Sequence, residues 1–173
     1  MYPSNDENSL YRVGMAITIR EAAPQDADVL LTLIDALADY EKLPRPSREA
    51  RSRLRRDGFI EPREFRPFIA DLDAVPVGYA VILHTYSSFL ALPTLYIEDI
   101  FVLPEARERG VGATLFRFLA RLALDEGCGR MEWMVLDWNH LAIRFYERLG
   151  ARQLREWLPY RLTRDELTTL LSE

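Results

Sequence analysis

Glu98-Asp99-Ile100-Phe101-Val102-Leu103-Pro104-Glu105-Ala106-Arg107-Glu108-Arg109-Gly110-Val111-Gly112-Ala113 is the stretch of this 173-residue sequence that decides its fold. It begins inside an apolar run, Thr94 to Val102, with the β-branched and aromatic content of a strand, and Pro104 ends that run. From about Gly110 to Glu126 the spacing predicts a helix, with Val111, Leu115, Phe118 and Leu122 on one face. A helix that starts just after a strand and a loop offers unpaired N–H groups and the positive end of its dipole, which together attract anions. Glycines at 110 and 112 let a bulky anion such as pyrophosphate approach the backbone, and Arg107 and Arg109 add charge-assisted donors. Two glycines alone also fit an ordinary helix start. The third glycine and ribose-binding acid of a dinucleotide fingerprint are missing, as is the lysine of a P-loop, so dehydrogenase and kinase chemistry are set aside.

Outward from this stretch, strand and helix patterns alternate, which predicts an α/β or α+β sheet protein. Ala16 to Arg20 reads as a first strand. Pro24 suits the first turn of a helix whose apolar face is Leu30, Leu33, Ile34 and Leu37. A second, basic helix is expected over Ser47 to Arg56, stopping near Gly58. Phe65 to Asp71 and Val77 to His84 form an antiparallel pair, because the link Leu72-Asp73-Ala74 is too short for a parallel crossover. Met131 to Leu136 reads as a strand, Asn139 to Leu149 as a helix closed by Gly150, and Arg152 onward as a last strand with a short terminal helix. No repeat or composition shift divides the chain after Met15, so one domain over residues 15–173 is expected, preceded by a polar extension at residues 1–14 read as disordered.

Composition narrows the chemistry. The chain is 49% hydrophobic and 28% charged with a net charge of −5, which disfavours nucleic-acid binding and suits a cationic small substrate. No apolar run approaches the ~20 residues of a membrane helix, and the first fourteen residues lack a secretory apolar stretch, so a cytoplasmic location is expected. Cys128 is the single cysteine and reads as a small apolar filler. His84 and His140 have no metal-ligand spacing, so neither a metal site nor Ser-His-Asp chemistry is expected. The cluster Arg48, Arg51, Arg53, Arg55 and Arg56 reads as a solvated helix face rather than a phosphate patch.

Three separated segments carry a resemblance. Arg107-x-x-Gly110-x-Gly112-Ala113, preceded by Glu98 to Val102 and followed by Asn139-His140-Leu141-Ala142-Ile143-Arg144-Phe145-Tyr146-Glu147-Arg148-Leu149-Gly150-Ala151, resembles the core of the GNAT acetyltransferases. Within that superfamily the chain is most similar to the diamine and thialysine branch, which includes the spermidine/spermine enzymes. Ala38-Asp39-Tyr40-Glu41, Asp57-Gly58-Phe59, Leu95 to Asp99, Trp138-Asn139 and Arg161-Leu162 carry that likeness. The resemblance implies a GNAT fold, a mixed, mostly antiparallel twisted sheet flanked by helices. It also implies direct acetyl transfer from acetyl-CoA to an amine, with no acyl-enzyme, and a homodimer.

The same resemblance assigns residues. The pantetheine arm would lie beside the backbone of Ile100 and Val102, the pyrophosphate on the N–H groups of Arg109, Gly110, Val111, Gly112 and Ala113, and Asn139 would orient the cofactor arm. Glu98 matches the general base, and its alternatives are a carboxylate in a β-bulge or a substrate counter-ion. Tyr146 matches the acid that protonates the leaving thiolate, the alternative being a packed helix aromatic. Tyr40, Glu41, Glu98 and Asp99 match positions that bind a cationic amine. In the polyamine enzymes an acid and a tryptophan precede the Glu98 strand, whereas here Ser87-Ser88-Phe89-Leu90-Ala91-Leu92 stands with an apparent one-residue insertion. A regulatory acetyl-CoA-binding module and a protein or peptide N-acetyltransferase are the competing functions.

Overall fold

The computed structural model describes residues 15–172, so the expectation for residues 1–14 lies outside the described residues. The described residues form two compact units, divided between Met134 and Val135. The first carries a five-stranded sheet in the order β1-β2-β3-β4-β5, with β1 Ile17–Glu21, β2 Arg66–Leu72, β3 Val75–Ser87, β4 Leu92–Val102 and β5 Arg130–Trp133. Neighbours pair antiparallel except β4 and β5, which are parallel. The crossover that makes this parallel pair possible is α3, Val111–Asp125, as a parallel connection requires. The β2–β3 hairpin turns on Asp73 and Ala74, both at positive φ (50° and 63°), the twist that a two-residue hairpin loop needs.

Strand alternation sends side chains to two faces, and each face finds a helix. On one, Ile69, Tyr79, Val81 and Phe101 pack with Leu30 and Leu33 of α1, Ala27–Glu41. On the other, Phe68 meets Phe118 of α3 with ring centroids 5.3 Å apart. The buried centre of α3 is Val111, Leu115, Phe116, Leu119 and Ala123, while Phe118 and Leu122 are half-buried. The predicted stripe thus had the right start but drifted, since the apolar seam here also takes in Phe116 and Leu119.

Helix α2, Arg48–Phe59, is capped by Ser47, whose Oγ accepts from the Ala50 N–H at 3.2 Å. It ends at Phe59, beside Gly58 as expected. Glycine is required for packing at that point, because a Cβ on Gly58 would sit 2.6 Å from Phe65 Cε2. The basic side chains of α2 are not simply solvated: Arg51 pairs with Asp35 and Arg55 with Asp28, both on α1. Arg20 joins β1 to its neighbours, with Nη1 donating to Asp26 Oδ2 at 2.7 Å and Nε to Asp71 Oδ2 at 2.8 Å.

The second unit contains α4, His140–Arg148, and α5, Arg164–Leu170. Gly150 follows α4 with φ at 87°, the left-handed conformation that ends a helix. Two expectations are corrected. Strand β5 ends at Trp133 rather than Leu136, and no strand forms from Arg152 onward among the described residues. There the Trp157 N–H turns back to the Leu154 carbonyl at 3.3 Å, and Pro159 has no N–H to give a ladder, so the segment lacks the donors of a strand. Among the described residues no helix is long and apolar enough to cross a membrane.

Candidate active site

Strand β4 holds the centre of the site through a break in its pairing. Ile97 lies opposite Ile82 and Asp99 opposite Val81, so Glu98 is an extra residue with no partner on β3. Such a bulge shifts the alternation of the pleat by one residue. In a regular strand Glu98 and Asp99 would point to opposite faces. Here both line one cavity of about 430 Å³, together with Val81 and Leu83 of β3, a volume within the usual ~300–1,000 Å³ of small-molecule pockets. The remaining walls are Ile34 of α1, Pro46, Leu54 of α2, and the α2–β2 link at Glu64 and Phe65.

Asp99 is mostly enclosed, and burial, with Glu98 and Glu41 as like-charged neighbours, pushes its carboxyl up to about 6. A hydrogen bond from the Tyr79 hydroxyl to Asp99 Oδ2, at 3.2 Å, acts in the opposite direction. Burial likewise raises the Glu41 carboxyl, and burial beside Asp99 raises the Tyr79 phenol well above its ordinary value, so Tyr79 remains a donor at neutral pH. Asp99 is therefore costly to ionise while the pocket is empty and gains when a cation enters.

The far side of β4 is open. Strand β5 pairs only with Thr94 to Ile97, so from Glu98 to Val102 that edge, including Ile100, has no strand partner among the described residues. The loop beyond turns through Glu108 at φ 63° and Gly110 at φ 87°, with Arg109 between them outside the left-handed region, an alternation that aims neighbouring N–H groups together. Gly110 is the N-cap of α3 and supplies no side-chain cap, and the first helical bond is Thr114 N–H to the Gly110 carbonyl at 3.0 Å. The N–H groups of Val111, Gly112 and Ala113 ahead of it have no helical acceptors to reach back to. This backbone fits a pyrophosphate.

Arg107 turns inward from that loop: its Nε donates to the Val102 carbonyl at 3.0 Å, and its guanidinium lies 4.6 Å from the Tyr40 ring centroid and 5.6 Å from that of Phe101. Tyr40 is thereby tied to the loop, and Glu41 meets the site as an electrostatic neighbour of Asp99. Two residues that no sequence motif singled out belong here, Tyr79 and Glu64. Tyr79 reads in sequence as one more strand aromatic; only the register, Tyr79 opposite Phe101, sets it near Asp99.

In the second unit, Asn139 is the N-cap of α4, its Oδ1 accepting from the Ala142 N–H at 3.2 Å. Tyr146 lies on the same helix, its ring meeting Phe145 edge to face at a centroid distance of 5.5 Å. Among the described residues no group of histidine, cysteine and carboxylate side chains could hold a metal ion.

Comparison with known proteins follows the same lines. The family model described as Acetyltransferase (GNAT) family matches residues 30–151. The thialysine N-epsilon-acetyltransferase of Sus scrofa is 36% identical over 166 residues, covering 90% of this chain and 97% of that protein. An L-ornithine N5-acetyltransferase of Arabidopsis thaliana is 42% identical over 113 residues, 64% of this chain and 50% of that protein. An integron cassette protein from the mobile metagenome of V. cholerae shares the fold, with a TM-score of 0.78 over 92% of this chain and 100% of its own, at 24% identity.

Proposed function

This chain belongs to the GNAT acetyltransferase family and is an N-acetyltransferase, and from that premise we propose that it moves the acetyl group of acetyl-CoA directly onto a primary amine of a small cationic substrate, a diamine, polyamine or lysine-like amino acid. The observation that carries this is the β4 bulge, which turns Glu98 and Asp99 onto one wall of an otherwise largely apolar cavity beside the open edge of the strand.

Acetyl-CoA, when bound, supplies a thioester activated towards amines. Its pyrophosphate suits the N–H groups of Arg109 to Ala113, and its pantetheine amides suit the β4 edge at Ile100 and Val102, which has no strand partner among the described residues although the Val102 carbonyl already accepts from Arg107. Asn139 is the residue we assign to the cofactor arm. An alkyl ammonium of pKa ~10 is only about one-thousandth neutral near pH 7, so the amine must first lose a proton. Glu98 takes that proton, through water. The amine nitrogen then bonds to the carbonyl carbon, the carbon–sulfur bond breaks, the Tyr146 hydroxyl gives a proton to the departing thiolate, and the nitrogen's second proton leaves to solvent, from which Tyr146 is reprotonated. Asp99, with Tyr40 and Glu41 behind it, holds the positive charge of the acceptor.

We read residues 15–173 as one functional domain that acts in the cytoplasm, where acetyl-CoA is available, and as a homodimer. Supporting the dimer, Trp157, Leu158 and Tyr160 are 70%, 72% and 93% exposed, apolar surface that a second copy would cover. Incubation of the purified protein with acetyl-CoA and an amine panel, with mass spectrometry of the products, tests the reaction. An acetylated amine is expected. Tight acetyl-CoA binding with no acetylated product from any amine would instead identify a regulatory module.

A further inference from the structure

The acceptor cavity has a third carboxylate, that of Glu64, and the chain around it is held in place. The Glu64 N–H donates to the Asp57 carbonyl at 2.8 Å, which closes the link from α2 to β2. On one side of it, Arg63 bonds to Glu21 and to Glu61, each at 2.7 Å. On the other, Phe65 is seated against Gly58. Glu64 is exposed and makes no ion pair within 4 Å among the described residues; its electrostatic neighbour Arg56 is bonded to Asp57, just as Asp35 and Asp39 are taken by Arg51 and Arg45.

The cavity thus has Glu98 and Asp99 on β4, Glu64 on a separate segment, and apolar side chains making up the rest of its lining. No arginine or lysine lines it among the described residues, and the arginines closest in sequence to its Pro46 wall, Arg45 and Arg51, are committed to Asp39 and Asp35. Apolar walls suit methylenes, and separated carboxylates suit cations at both ends of them. An amino-acid acceptor would bring a carboxylate of its own into this lining with nothing cationic to meet it, which disfavours binding through both repulsion and desolvation.

Resting on the amine transfer read above, we propose that Glu64 is a specificity-determining residue: it holds the distal ammonium of an α,ω-diamine while the other nitrogen reacts beside Glu98 and Asp99, and it turns away acceptors that carry an α-carboxylate. The selectivity arises from one side chain on the α2–β2 link. It sets this chain apart from the amino-acid substrates in the names of its thialysine and ornithine relatives.

The test compares 1,5-diaminopentane, n-pentylamine and lysine as acceptors, with acetyl-CoA saturating, in the full-length wild type and in Glu64→Gln and Glu64→Arg. Wild type is expected to favour the diamine over both others. Glu64→Gln should reduce the diamine-to-pentylamine ratio of kcat/KM about 5- to 20-fold, between the effects of an exposed ion pair and a charged hydrogen bond, mainly through KM. Glu64→Arg should shift preference towards lysine. Unchanged ratios in both variants, or a wild type that uses lysine as well as the diamine, would overturn the assignment. Diamine affinity by calorimetry makes the same comparison without turnover. A protein that binds the diamine through Glu64 yet acetylates none of the three would contradict the transfer reaction while upholding the Glu64 assignment.

Discussion

The Tyr79 hydroxyl donates to Asp99 Oδ2 across 3.2 Å, joining a fully buried strand aromatic to one of the two acids of the β4 bulge. This bond favours the ionised form of Asp99 against the burial that opposes it. Tyr79→Phe should therefore raise the Asp99 carboxyl above its value of about 6. Carbon-13 NMR titration of the aspartate carboxyls reads this directly. An unshifted Asp99 midpoint would mean that the bond does not control its ionisation.

Asp99 also links stability to pH. Its folded-state value, about 6, lies above the ~3.9 of an unfolded aspartate, so its contribution to stability is fully present below about pH 4 and is lost as pH rises through 6. Asp99→Asn cannot ionise. Relative to wild type, its Tm should improve as pH rises from about 4 through about 6 and level off above that, whereas Glu21 and Asp26, lowered by their arginine partners, contribute equally to both proteins and cancel. A Tm difference independent of pH would exclude a raised Asp99.

At the start of α3 the expected ligand is a bulky anion held by backbone N–H groups. Gly112→Asp places a carboxylate there and should weaken acetyl-CoA binding at least ~10-fold, by charge repulsion and by intrusion on the backbone. Calorimetry on a variant with wild-type circular dichroism provides the check. Unchanged affinity would remove the pyrophosphate from this loop.

Much of this architecture is written in local patterns. The helix start at Val111, the Pro104 stop, the short Asp73-Ala74 link and the Asn139 to Gly150 helix are each decided within a few residues, and each appears where its pattern puts it. What local pattern cannot carry is register. A bulge is one of the readings that Glu98 allows, but nothing in the run Ile97-Glu98-Asp99 fixes the one-residue slip of β3 opposite it, and that slip is what brings two neighbouring acids to one face. Glu64 was missed for a related reason. It belongs to no motif, and only the fold of the α2–β2 link brings it to the same cavity as β4. The expected strand after Arg152 does not form, as Pro159 lacks a ladder donor and the chain turns at Leu154–Trp157.

The most direct test of the central claim, that the bulged Glu98 deprotonates an amine attacking acetyl-CoA, is the pH dependence of CoA thiol release by wild type and Glu98→Gln. With a diamine acceptor, Glu98→Gln should lower kcat/KM by about 10²–10⁴-fold near neutral pH and recover partly towards pH ~10, as solution supplies neutral amine. A variant that keeps wild-type kcat and pH profile, and differs only by a higher KM for the amine, would contradict the claim and leave Glu98 as a counter-ion.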